Sequence, residues 1–324
     1  MKITHDVHTH TFQSSTVFDP EASVRNLIAK STELGHSVLG ISNQLWDSNI
    51  PTDNKGYKGQ PEKYVLEIKH AIPEDTDGVR VLIGAECEYC ALIDTFSVTP
   101  ETAEMFDYIL IRHSHTQARG LVIAEDSGAL KVRAAIREKL VDGLPELSEL
   151  LIDRMVGVIN VRTVTDANIG NLSEIVSSEY DQLTEIADFL HSSLDRLMSR
   201  PDLAEIARKV PTAIIHPFWP DGSSADEARK ILSMLDYDRA ARQFKACAEL
   251  GVAVVVNTDA FTLSDNGYKN DPMVKVVRIA LDAGCRVVFG TNSNTLAGLE
   301  AIRKADEIAD AIGITEADIA EFVR

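Results

Sequence analysis

Seven short runs of apolar, mostly β-branched residues punctuate the chain: Lys2 to Val7, Ser37 to Ile41, Val79 to Ile83, Tyr108 to Ile111, Thr212 to Ile215, Val252 to Val256 and Arg286 to Phe289. Between most of them lie segments whose apolar positions repeat at helical spacing, and strands that alternate with helices build a parallel sheet. The runs are continuous rather than alternating, which predicts strands covered on both faces. Pro20 to Leu34 reads as a helix with Asp19 as N-cap, Gly35 as its stop and Val24, Leu27, Ile28 and Leu34 on one face. Ala225 to Leu235, Asp238 to Leu250, Pro272 to Ala283 and Thr295 to Ala305 have the same pattern, and their apolar stripes read as core.

The alternation lapses between His115 and Thr212, where helical patterns at Ala129 to Lys139, Leu147 to Met155 and Ser178 to Met198 predict a mainly helical insertion at about 117–210. No Pro-, Gly- or Ser-rich linker bounds it. The expectation is one domain over residues 1–324, with the insertion packed on the sheet and covering the mouth of its site.

The residues just past the end of each run carry the chemistry. In order, the strands lead into His8 and His10, Asn43 and Gln44, Glu86, His113 and His115, His216, Asn257, and Asn292 with Asn294. Polar side chains gathered at the carboxyl ends of parallel strands mark the active face of a barrel or doubly wound sheet, and seven strands favour an irregular barrel. His8 and His10 are two apart on a strand, so they point the same way and suit one metal ion. Asp6 is placed to act as a carboxylate that orients one imidazole. His5, His36, His70 and His191 read as ordinary core or surface residues.

Composition narrows the partners. A hydrophobic fraction of 44% and a charged fraction of 25% are those of a globular chain. No apolar run approaches the ~20 residues of a membrane helix, and the N-terminus has no basic and apolar leader, which leads to the expectation of a cytoplasmic protein. A formal charge of −18 disfavours nucleic acid and anionic membranes as partners but not a small phosphorylated substrate, because a metal reverses the local potential. Four scattered cysteines make no disulfide framework, and Cys87 with Cys90 reads as an incidental pair at a strand end.

The order of these motifs resembles the PHP superfamily, named for its polymerase and histidinol phosphatase members. The family's opening D-x-H-x-H is matched by Asp6, His8 and His10, and its G-x-E by Gly84-Ala85-Glu86. Asp107-Tyr108-Ile109-Leu110 leading to His113 and His115 matches a later strand, and His216-Pro217 matches an H-P dipeptide. The resemblance spans most of the chain apart from the insertion. It implies an α/β fold, an irregular (β/α)7 barrel, holding up to three divalent ions and commonly hydrolysing phosphoesters through a metal-bound hydroxide.

The chain also departs from the family. Ser42-Asn43-Gln44 replaces T-D-H, and Gly290-Thr291-Asn292-Ser293-Asn294 replaces G-S-D-A-H. An amide oxygen is a neutral and weak ligand for zinc, manganese or iron, so one or two ions are expected rather than three. The first takes His8, His10 and Glu86, with Asn292; the second takes Glu86, His216 and either His113 or His115. Glu86, His115 and Asn292 are the catalytic candidates, Arg112 and Arg119 the candidate phosphate clamp. Asn43, Gln44, Asn257 and Asn294 stand at degenerate ligand positions. The expected function is metal-dependent hydrolysis of a small phosphorylated metabolite. A degenerate barrel that binds its ligand without turnover, and a C–N hydrolase of the amidohydrolase type, are the alternatives.

Overall fold

All seven apolar runs form strands in the computed structural model, which describes residues 1–14, 17–50, 60–90, 95–113, 137–138, 141, 182–220, 225–264 and 267–324. They are β1 (His5–Thr9), β2 (Val38–Ile41), then, past the two-residue β3 (Gln44–Leu45), β4 (Arg80–Cys90). The short β5 (Thr95–Phe96) precedes β6 (Tyr108–Arg112), β7 (Thr212–Ile215), β8 (Ala253–Asn257) and β9 (Val287–Gly290). The order β1-β2-β4-β6-β7-β8-β9 is parallel at every step, with β3 and β5 as side pairings of β4. Every residue of β1, β2, β7, β8 and β9 is buried, as strands covered on both faces require.

The sheet curls until its ends meet. Thr9 bridges Ser293 in parallel; His10 N–H donates to the Ser293 carbonyl at 3.1 Å and Ser293 N–H to the His8 carbonyl at 3.3 Å. Gly290 permits this approach, since a Cβ there would lie 2.5 Å from the Cβ of His8. The result is an α/β fold, a near-closed barrel of seven parallel strands.

The layer outside it is helical. Its longer helices are α1 (Val24–Leu34), α2 (Gln182–Met198), α3 (Pro201–Lys209), α4 (Ala225–Met234), α5 (Tyr237–Glu249), α6 (Pro272–Asp282) and α7 (Ala305–Ile312), beside the short helical turns Glu62–Glu67 and Pro100–Ala103. Several bounds differ from the sequence expectation, each for a local reason. α1 starts at Val24 under a Ser23 cap, because Asp19 uses its carboxylate on the Glu21 and Leu296 amides instead. β4 runs on past Ile83 through Glu86, held by β3 and β6 on its flanks. Thr295 to Ala305 is mostly a 3₁₀ segment, Ala297–Lys304, and the α-helix follows it.

Of the expected insertion, α2 and α3 are described and the patterns at Ala129 to Lys139 and Leu147 to Met155 lie outside the described residues, apart from Arg137 and Glu138. α2 packs on α4 and α5, where His191 Nδ1 meets Gln243 Oε1 at 2.8 Å and Ser193 Oγ donates to the His113 carbonyl at 2.6 Å. No helix among the described residues is long and apolar enough to cross a membrane.

Tyr108 fills the barrel interior. Its ring lies against the bare Cα of Gly84 and Gly40, and its hydroxyl donates to the Val7 carbonyl at 2.7 Å. Phe322 stacks on the same ring at 5.6 Å and is held by Arg80 Nη2 through its carbonyl, so the C-terminal turn closes the end where strands begin. A Cβ at Gly84 would sit 2.3 Å from Tyr108 Cζ, closer than any relaxed contact. Gly84→Ala is therefore expected to cost about 1–3 kcal/mol by overpacking. Urea unfolding reads this as a lower midpoint, and an unchanged midpoint contradicts the role given to Tyr108.

The buried histidines make a second prediction. Burial lowers His5 and His36 to about 4 and His113 to about 3. In the unfolded chain they titrate near ~6.5. Below that pH the unfolded chain takes up protons that the native one refuses, so stability falls as pH drops from about 6.5 towards 4. Asp6, raised by burial to about 7, works in the opposite sense, its contribution being lost as pH rises towards 7. Three histidines outweigh one carboxyl. The urea midpoint of chelator-treated protein should be lower at pH 5 than at pH 7; equal midpoints contradict the prediction.

Candidate metal centre

The pleat of β1 turns the side chains of His8 and His10 towards the carboxyl end of the barrel, where β4 presents Glu86. His8 Nε2 lies 3.1 Å and His10 Nε2 3.2 Å from Glu86 Oε2. These three donors are all within 4.8 Å of one another, and all three residues are buried. Divalent ions with ~2.0–2.2 Å bonds to nitrogen and oxygen in tetrahedral array have ligand edges only slightly longer than these contacts. Two imidazoles and a carboxylate that leave a further position open are a known catalytic set. The residues fit one ion.

The other oxygen of Glu86 faces a different cation. Arg112 Nη2 is 3.0 Å from Oε1, because Leu110 on β6 pairs with Glu86 and Arg112 shares its face two residues on. Burial alone would raise the Glu86 carboxyl; the Arg112 charge and the His10 and His8 contacts overcome it and hold the group well below the usual carboxylate range. His8 falls to about 4 through burial, against the pull of Glu86. It is a neutral imidazole at pH 7, the form that binds metals.

Among the described residues, several buried nitrogens here have no hydrogen-bond partner: His10 Nδ1, and both Nδ1 and Nε2 of His216. Such atoms cost about 1–3 kcal/mol each when left unmet. His216 stands beside His8, ring centroids 5.6 Å apart, and burial followed by the Arg112 charge holds it well below its ordinary value. A neutral, unpartnered imidazole next to the three donors points to a ligand.

The backbone is bent to place these groups. His216 has φ 48° and Phe218 φ 58°, on either side of Pro217, and Asn292 has φ 54°. Only Asp77 shares this conformation among the other described non-glycine residues, so the left-handed positions concentrate at the ends of β7 and β9.

The remaining predicted residues take varied places. Asp6 reaches backbone and hydroxyl rather than an imidazole: Oδ1 accepts from the amides of His8 and Thr291, and Oδ2 from the Thr291 hydroxyl. Asn43 is occupied with Thr11, through its amide N–H at 2.9 Å and its hydroxyl at 2.7 Å. Gln44 Oε1 accepts from Ser14 Oγ at 2.8 Å. Asn257 joins three strands, its Nδ2 2.8 Å from His8 Nδ1 and its Oδ1 accepting from the His216 amide. Asn294 is exposed.

His113 is not brought to the cluster. Because it follows Arg112 in the pleat it faces away, packed edge-on against Phe218 at 5.8 Å and close to His191. His115 and Arg119 lie outside the described residues.

Asn292 instead donates through Nδ2 to Asp259 Oδ2 at 3.1 Å. Asp259 is solvent-accessible at the rim, and the crowded mouth raises its carboxyl. Sequence reasoning stopped at Asn257; the polar run Asn257-Thr258-Asp259 directly after β8 was the available signal. Cys87 on β4 is a buried free thiol. A cleft of about 350 Å³ at the other end of the barrel, lined by Lys2, Thr4, Glu316 and Arg324 among others, has no part in this cluster.

No protein-family profile matches the chain, and no curated protein matches it in sequence. Among solved structures, a histidinol phosphate phosphatase of Lactococcus lactis, complexed with zinc, L-histidinol and phosphate, is similar with a TM-score of 0.50 and 13% identity, over 96% of this chain and 94% of its own. A Listeria monocytogenes protein described as a histidinol phosphatase gives 0.51 and 12%, over 91% and 97%. At such identities the likeness shows the fold alone: this chain has the barrel architecture of those two structures.

Proposed function

We propose that the chain is a metal-dependent phosphoester hydrolase acting on a small phosphorylated metabolite. The observation that carries this reading is the convergence of His8, His10 and Glu86 at the active end of the barrel, beside the guanidinium of Arg112 and the unpartnered imidazole of His216. Phosphate and L-histidinol accompany zinc in the Lactococcus lactis structure, which supports a small phosphorylated substrate here.

A divalent ion held by His8, His10 and Glu86 would supply Lewis-acid polarisation and an activated water for attack on phosphorus. The chain's own residues set the rest. Arg112 keeps Glu86 ionised and offers planar donors to phosphoryl oxygens, where negative charge gathers in the transition state. Asn257 lies against the ring of His8, its Nδ2 2.8 Å from Nδ1, while its Oδ1 accepts from the His216 amide, so it positions both residues. His216, neutral at pH 7, has a nitrogen free to take a proton or a ligand.

A second reading, a barrel that binds its ligand without turnover, is favoured by one observation. Glu86 already has a permanent cationic partner in Arg112, so the fold does not need an ion to balance it.

Phosphate release separates the two. Protein supplied with zinc, manganese or iron is expected to hydrolyse phosphomonoesters such as histidinol phosphate. His8→Ala and His10→Ala should each lower kcat/KM by more than the ~10–100-fold typical of losing a residue behind a ligand, and Asn257→Ala by an amount within that range. A protein that binds the ion but releases phosphate from no monoester contradicts the hydrolase reading.

A further inference from the structure

We propose that the centre holds a single divalent ion, because the guanidinium of Arg112 stands where a second cation would bridge Glu86. The proposal rests on the metal-binding part of the function proposed above and assigns Arg112 a place in it.

The first support is the division of the carboxylate. Oε2 faces both imidazoles, at 3.1 and 3.2 Å, and Oε1 faces Arg112 at 3.0 Å. Glu86 is only 5% exposed, and an ion bound to Oε1 would take the place that Arg112 fills. A carboxylate that bridges two metals offers one oxygen to each; here the second oxygen is matched to a fixed organic cation.

The second support is strand parity. Parallel pairing of β4 with β6 sets Leu110 opposite Glu86, which puts Arg112 on the site's face and His113 on the other. His113 follows directly on the last residue of β6, and to turn in it would have to give up the contacts that hold it. Its ring is held where it is: Phe218 N–H meets Nε2 at 3.5 Å, Phe218 packs edge-on, and Ser193 binds the His113 carbonyl. Of the described histidines outside the cluster, His216 alone stands next to it.

The third support is charge. Glu86 is the carboxylate in contact with both imidazoles and with Arg112, and Asp259 lies at the rim. One dication with Arg112 and Glu86 leaves two positive charges, which a phosphate monoester dianion neutralises. A second dication would leave that excess doubled in a buried site and press directly on the guanidinium. Arg112 thus does the electrostatic part of a second metal's work, fixing Glu86 and drawing in the phosphoryl group, without activating water.

Elemental analysis tests this on full-length protein loaded with zinc or manganese and then desalted. Wild type should retain one ion per chain and His8→Ala none. Arg112→Met, with its fold confirmed by circular dichroism, should rise towards two, since Glu86 Oε1 and the His216 imidazole are then open together. Two or more ions in wild type would overturn this proposal and leave the hydrolase reading standing. One ion in both wild type and Arg112→Met would overturn the role given to Arg112. No ion in wild type would overturn both readings. Should Arg112→Met not fold, the wild-type count decides alone.

Discussion

Glu86 brings one negative charge into a buried barrel mouth, and the surroundings are arranged around neutralising it. A lone buried carboxylate would protonate. It stays ionised because Arg112 approaches one oxygen and two imidazoles the other. That arrangement needs three strands in one register: β1 to carry the histidines, β4 the glutamate, β6 the arginine. Register in turn depends on packing at the far end, where Tyr108 occupies the space that Gly40 and Gly84 leave and ties β1 to β6 through the Val7 carbonyl. The glycine two residues before Glu86 is thus a packing requirement that serves the chemistry at a distance.

Polar residues at the strand ends divide into those that face a ligand and those that hold the loops. Asp6 joins β1 to the segment after β9 through Thr291, and Asn43 pins Thr11. Asn257 spans from His8 to the amide of His216. These bonds consume the amides of Asn43 and Asn257. Hydrogen bonds between strand ends therefore fasten the loops around the site.

Much of this was legible in the chain and some of it was not. Continuous apolar runs such as Val252 to Val256 announce strands covered on both faces, and seven of them with polar ends announce a barrel with its site at one end. His8, His10 and Glu86 could be grouped because motif order and pleat both point to one face. Parity between strands was harder to see. His113 was a ligand candidate, yet Arg112 takes the inward position, and only the pairing of β6 with β4 decides which of two adjacent residues that is. Asp259 escaped notice because its place depends on the turn after β8 and on the left-handed backbone of Asn292, neither of which has a periodic signature. The start of α1 was misplaced for a similar reason: Asp19 and Ser23 are both good caps, and the contact of Asp19 with Leu296, far along the chain, settles between them.

The central claim is that one carboxylate serves an ion on one side and an arginine on the other. Crystals of the zinc-loaded protein, measured at the metal's absorption edge, address it directly. The account predicts one anomalous peak, bonded to His8 Nε2, His10 Nε2 and Glu86 Oε2, with Arg112 still in hydrogen-bond contact with Glu86 Oε1. A second peak on Oε1 with Arg112 displaced, or a peak away from His8 and His10, would contradict it.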